Sequence, residues 1–147
     1  METNPHLIAH PHRVIARAAA VVGLLGIALI HLLDLQGKLQ ETPYLGVAYI
    51  LLIGAAVITA AALVHTDSRK AWWAAAGLAL ATLVGYAVNR TIGMPSATDD
   101  IGNWLEPLGL ASLFIEALTA TVSIYALADR RLAVPTSASS RQDLRAA

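Results

Sequence analysis

Apolar residues gather in four long blocks, Val14 to Leu35, Tyr44 to Val64, Ala71 to Val88 and Leu105 to Leu127, separated by short polar stretches. Crossing a hydrocarbon layer of about 30 Å takes roughly 20 helical residues at about 1.5 Å each, and each block meets or approaches that length. The pattern predicts an all-α integral membrane protein, an antiparallel bundle of four transmembrane helices spanning residues 14–128. Residues 1–13 read as a cytoplasmic N-terminal tail. The Ser- and Ala-rich residues 129–147 read as a disordered cytoplasmic tail. Gly37 is expected to break the first helix and Pro43 to start the second. Asn103 and Glu106, three apart, have the spacing of a capping box for the fourth.

Within the blocks, small and polar positions form stripes. Gly109, Ser112, Glu116, Thr119 and Ser123 recur every three or four residues, a 3.5-residue period that predicts a packing seam, with Ala126 extending it. Gly77, Ala81 and Gly85, four apart, predict a second close-packed face, which a bulky side chain at Gly85 would disturb more than one at Gly102. On the first helix Gly23, Gly26, His31 and Asp34 share an arc of roughly 140°.

Composition supports the membrane reading. Of 147 residues 56% are hydrophobic and 14% charged, and the mean hydropathy is +0.60, well above that of a soluble domain. No connecting segment is long enough to bury a soluble core of its own. The first block follows Arg13 and Arg17 but exceeds the length of a signal-peptide core, so it is expected to be retained.

The net charge is zero, yet its distribution is uneven. Eight of the ten Lys and Arg fall before or in the first turn of the first block, between the second and third, or after the fourth; Lys38 and Arg90 alone fall elsewhere. That bias places both termini in the cytoplasm and the protein in the cytoplasmic (inner) membrane. Asp34, Glu41, Asp99, Asp100 and Glu106 then collect at the outer surface. Trp72 and Trp73 are expected at the inner interface, Tyr44 and Trp104 at the outer one.

The absence of cysteine excludes disulfides, thiolate metal sites and iron–sulfur clusters. No hydrolase, nucleotide-binding or zinc-protease motif is present, so a non-enzymatic role is expected. His31 and Asp34, three apart, form a face that, with Asp99, Asp100 and Glu106, offers nitrogen and oxygen ligands for a divalent cation. The tract containing His6, His10 and His12 is a second, looser metal candidate. His31 and His65 sit near opposite ends of the bundle, so haem is not expected within one chain. Glu116 falls near the bilayer midplane, where an acid is costly unless neutral, hydrated or paired. Tyr49, Tyr86, Asn89 and Arg90 are the other intramembrane polar residues, and Tyr49 or Tyr86 is the expected partner of Glu116.

The stretches HLLDLQGKLQETPYLGVAYI and GMPSATDDIGNWLEPLGLASLFIE resemble segments of small four-helix membrane proteins of actinobacteria without an assigned activity. The resemblance implies a cytoplasmic-membrane location and no catalytic roles. The residues themselves suggest two functions. One is an accessory or assembly subunit docking a larger membrane complex, or a homo-oligomer, through its small-residue faces. The other is an ion- or metal-handling protein using the outer His/Asp/Glu cluster and Glu116. The bilayer is a partner under both; nucleic acid is expected under neither.

Overall fold

The computed structural model describes residues 11–132. It contains four helices, α1 (Pro11–Glu41), α2 (Pro43–His65), α3 (Arg69–Thr91) and α4 (Pro107–Leu132). Each is long and apolar enough to cross a membrane. The tail beyond residue 132, His6 and His10 lie outside the described residues.

The distribution of side-chain size reverses that of a soluble bundle. Large apolar residues such as Val22, Leu33, Leu51, Ile58 and Phe114 face outward. The interior is built from Ala16, Ala20, Ala56, Ala60, Ala75 and Ala76 around Leu24, Leu63 and Trp72. In water such a surface would drive aggregation; against lipid tails it costs nothing, and small interior residues let helix backbones approach closely.

α1 lies against α2 and α4, and α3 against α4, while α2 and α3 touch less. The α1–α4 contact is close. A Cβ at Gly23 would collide with the Thr119 hydroxyl, and one at Gly26 would come within 3.0 Å of Ile115. The predicted α4 seam faces inward along its length, with Gly109, Ser112, Glu116, Thr119, Ser123 and Ala126 all buried.

Two helix limits differ from expectation. Gly37 does not end α1, which continues to Glu41, so 31 residues make a rod of about 46 Å at about 1.5 Å each. Only Thr42 separates α1 from α2; its backbone N–H donates to Lys38 O and its carbonyl accepts from Leu45 and Gly46. This corner needs Gly46, where a Cβ would stand 2.9 Å from the Leu39 Cα. At α4 the cap is Glu106 itself, three residues later than Asn103. Its carboxylate accepts from the backbone N–H groups of Leu108 at 3.1 Å and Gly109 at 2.9 Å. An anion there also meets the positive end of the helix dipole.

Trp72 and Trp73, at the start of α3, face different ways. Trp72 is buried, its indole N–H donating to Asp67 at 2.7 Å, because Ala71, Ala75 and Ala76 leave the room a ring requires. Trp73 is exposed. The bundle is thus solid toward residues 66–68 and looser toward residues 92–106.

Among the described residues the Gly77–Ala81–Gly85 face is not a close-packed seam: a Cβ at Gly77 or Gly85 would meet nothing within 4 Å. Gly102 has φ +80°, a region in which an L side chain costs roughly 1–3 kcal/mol. The order expected from sequence therefore reverses. Gly46→Ala and Gly102→Leu should each lower the detergent melting temperature by the equivalent of about 1–3 kcal/mol, with Gly85→Leu close to wild type. A Gly85→Leu variant less stable than both would show that this face is covered in the folded protein.

Candidate functional site

Where α2 and α3 part, all four helices wall a cavity of about 500 Å3. It is polar at three levels, because the sequence puts polar residues on the inner faces at each depth.

At the mouth, Arg90 is the centre of a network. It is 7% exposed, and its guanidinium donates to the Asp100 carboxylate at 2.6 Å, the Asp100 carbonyl at 3.2 Å and Glu106 at 3.3 Å. The same guanidinium lies 5.1 Å from the centre of the Tyr86 ring. Asn89, at 2.9 Å, and Lys38 of α1, at 3.2 Å, both donate to the Asp100 carboxylate. One loop carboxylate therefore ties α1, α3 and the α3–α4 connection together, and Glu106 adds the start of α4. Burial alone would push the Asp100 carboxyl up. The hydrogen bond from Asn89 and the charges of Lys38 and Arg90 outweigh it, holding Asp100 below the usual carboxylate range.

One turn deeper, Asp34 accepts from the Tyr49 hydroxyl at 3.3 Å. Deeper still, His31 of α1 and Glu116 of α4 each lie roughly 14–15 Å from the nearer end of their helix, at about 1.5 Å per residue. His31 Nδ1 is 2.9 Å from Ile27 O. A carbonyl only accepts, so Nδ1 carries a proton, and in the neutral ring Nε2 is an acceptor. The imidazole meets Tyr49 edge-on, with centroids 4.6 Å apart. Glu116 is 1% exposed and accepts from Ser112 at 2.6 Å.

Four buried side-chain atoms lack a hydrogen-bond partner among the described residues, namely Asn89 Oδ1, Arg90 Nε, Glu116 Oε2 and Ser123 Oγ. The first three belong to residues lining this cavity. Buried polar atoms are nearly always satisfied by protein, water or ligand, so the cavity is built for polar contents.

The expected site residues separate into two groups. His31, Asp34, Tyr49, Tyr86, Asn89, Arg90, Asp100, Glu106, Gly109, Ser112 and Glu116 all line the cavity, as do Ala81 and Gly85. Asp99 is exposed and does not, and Gly77 faces outward. The acids nearest the mouth engage Lys38 and Arg90. Among the described residues no three His, Asp or Glu side chains come together to hold a metal ion. The partner of Glu116 is Ser112, one turn away on the same helix, whereas Tyr49 bonds Asp34 and Tyr86 reaches Trp104 O at 3.5 Å. Lys38 was legible only as an outer base. Its spacing from His31 and Asp34, seven and four residues, puts it on the same face once α1 is known to pass Gly37.

Comparison with known proteins gave no match to a family model, a characterised protein or a solved structure.

The network at the mouth generates two predictions. Arg90→Lys keeps the charge but loses the fork that reaches two carboxylates at once, and should cost about 1.5–3 kcal/mol in a detergent melt. Asp100 releases its proton more readily folded than unfolded. Its stabilising effect is thus complete at neutral pH and is lost as pH falls below about 4, through its lowered folded value. Asp100→Asn should flatten the acid limb of melting temperature against pH, and an unchanged limb would mean that Asp100 is unpaired in solution.

Proposed function

We propose that the protein is an ion-handling multi-pass membrane protein that takes a cation into the cavity, with Asp34 and Glu116 as its anionic contacts. In this reading the helices form an antiparallel bundle in the cytoplasmic membrane with both termini inside, as the Lys and Arg bias favours, and the cavity opens to the outside. The observation that carries the reading is the Glu116 carboxyl: almost fully buried, on the wall of a cavity, with one oxygen unsatisfied. Ionisable residues inside membrane segments mark ion and proton paths more often than they serve packing, because a packing role is filled at less cost by Ser or Thr.

Charge supports it. Four carboxylates and two cationic side chains line the cavity. The two cations are engaged with Asp100 and Glu106, so Asp34 and Glu116 are the acids on the wall without a Lys or Arg partner among the described residues.

A second reading, docking to another membrane protein or a second copy, is favoured by the outward Gly77, which leaves one α3 face uncovered by any of the described residues. Purification in mild detergent separates the two: a stoichiometric partner supports docking.

For ion handling, melting temperature is measured across Na+, K+, NH4+, Mg2+, Zn2+ and small amines. At least one cation should stabilise the wild type, and Glu116→Gln should melt within about 1 kcal/mol of wild type yet lose that response. A Glu116→Gln variant that keeps the full response would leave Glu116 as a packing residue.

A further inference from the structure

Resting on the cation reading, we infer that the guest is a primary ammonium carrying a small apolar body, not a bare inorganic ion. Hydrogen-bonding character, volume and the lining of the wall each select for such a guest.

The inner half of the cavity offers acceptors. Asp34 contributes a carboxylate that accepts from the Tyr49 hydroxyl through one oxygen. Glu116 contributes the free Oε2. His31, its Nδ1 committed to Ile27 O, contributes Nε2 as an acceptor in the neutral ring. A primary ammonium is all donor, with three N–H groups and no lone pair. A carboxylate or phosphate would bring more acceptors to acceptors. A quaternary ammonium would bring no N–H at all.

Volume excludes a tight inorganic site. Metal ions are held by ligands converging to about 2.0–2.6 Å, and no such grouping occurs among the described residues. About 500 Å3 instead falls in the range of sites for small organic molecules, roughly 300–1,000 Å3.

The wall between the polar levels is apolar. Ile30 of α1, Leu45 and Leu52 of α2 and Ala81 of α3 line the same space, and Gly85 leaves it open. A bare hydrated ion gains nothing from these surfaces. An alkyl or aryl group gains by leaving water for them. The ammonium end therefore sits among Asp34, His31 and Glu116, with the body along the α2–α3 side. Those two helices touch less than the other neighbouring pairs, so a free amine and an aminophospholipid headgroup share the chemistry the site recognises.

The test is isothermal titration of purified full-length protein with benzylammonium, tetramethylammonium, Na+ and Zn2+. Benzylammonium should bind one to one and at least tenfold more tightly than tetramethylammonium. Glu116→Gln and Asp34→Asn should each weaken it tenfold or more. Gly85→Leu, which fills the wall and leaves both carboxylates in place, should also abolish it, which keeps the test open if an acid variant fails to fold. Repeating the titration in nanodiscs identifies the source. Binding lost in phosphatidylethanolamine but kept in phosphatidylcholine assigns the ammonium to the headgroup, and binding kept in both assigns it to a free amine. Na+ or Zn2+ binding that needs Glu116, without benzylammonium binding, overturns this inference and leaves cation handling intact. No cation binding of any kind overturns both. Benzylammonium binding unchanged in all three variants places it elsewhere and also overturns the inference.

Discussion

The rest of the structure depends on the Arg90 guanidinium. A cation that is 7% exposed at the end of an apolar helix is tenable only if its hydrogen bonds are met, and here two carboxylates and a carbonyl meet them. In doing so they set the path of residues 92–106, whose Gly102 N–H returns to Arg90 O at 2.9 Å. They also set the position at which α4 begins, since Glu106 is at once a partner of Arg90 and the cap of that helix. The place of Glu116 is then fixed by counting turns inward from that cap. A longer or looser connection would leave α4 free to slide and the buried acid without a defined depth.

The two ends of the bundle show opposite solutions to one problem. Toward residues 66–68 a large ring, Trp72, fills the space between helices, anchored by Asp67, which also pairs with Arg13 at 3.7 Å. Toward residues 92–106 the side chains are either held in the mouth network or too small to meet across the gap, like Ala81 and Gly85. The cavity is therefore an outcome of residue size along α2 and α3 as much as of the polar groups within it.

Much of this was legible in the chain. Long apolar blocks mark helices because the distance across a hydrocarbon layer is fixed, and the 3.5-residue period of α4 picks out an inward face because seam geometry is fixed too. Several of the cavity residues were named from their position near one end of their helices, and others from the α4 seam and the α3 small-residue series. Pairing could not be read in the same way. Glycine at position 37 looked like a stop, but a helix end depends on the conformation of the next several residues, and here a one-residue corner lets α1 continue. The shift of the α4 cap to Glu106 reflects an interaction with Arg90, sixteen residues away in the chain, which no local spacing encodes. The Gly77 series shows the converse. Small residues at four-residue spacing permit close approach, but they do not supply the helix that approaches.

The one-residue corner at Thr42 has a mechanical consequence. With hydrogen bonds closing on both of its sides and Leu39 pressed onto Gly46, α1 and α2 have no slack between them and must travel as one rigid hairpin. The longer connection between α3 and α4 carries turns and left-handed residues at Gly93, Ser96 and Gly102. Lys38 on the hairpin and Arg90 on α3 both grip the same aspartate, so one carboxylate holds α3 to that unit across the mouth of the cavity.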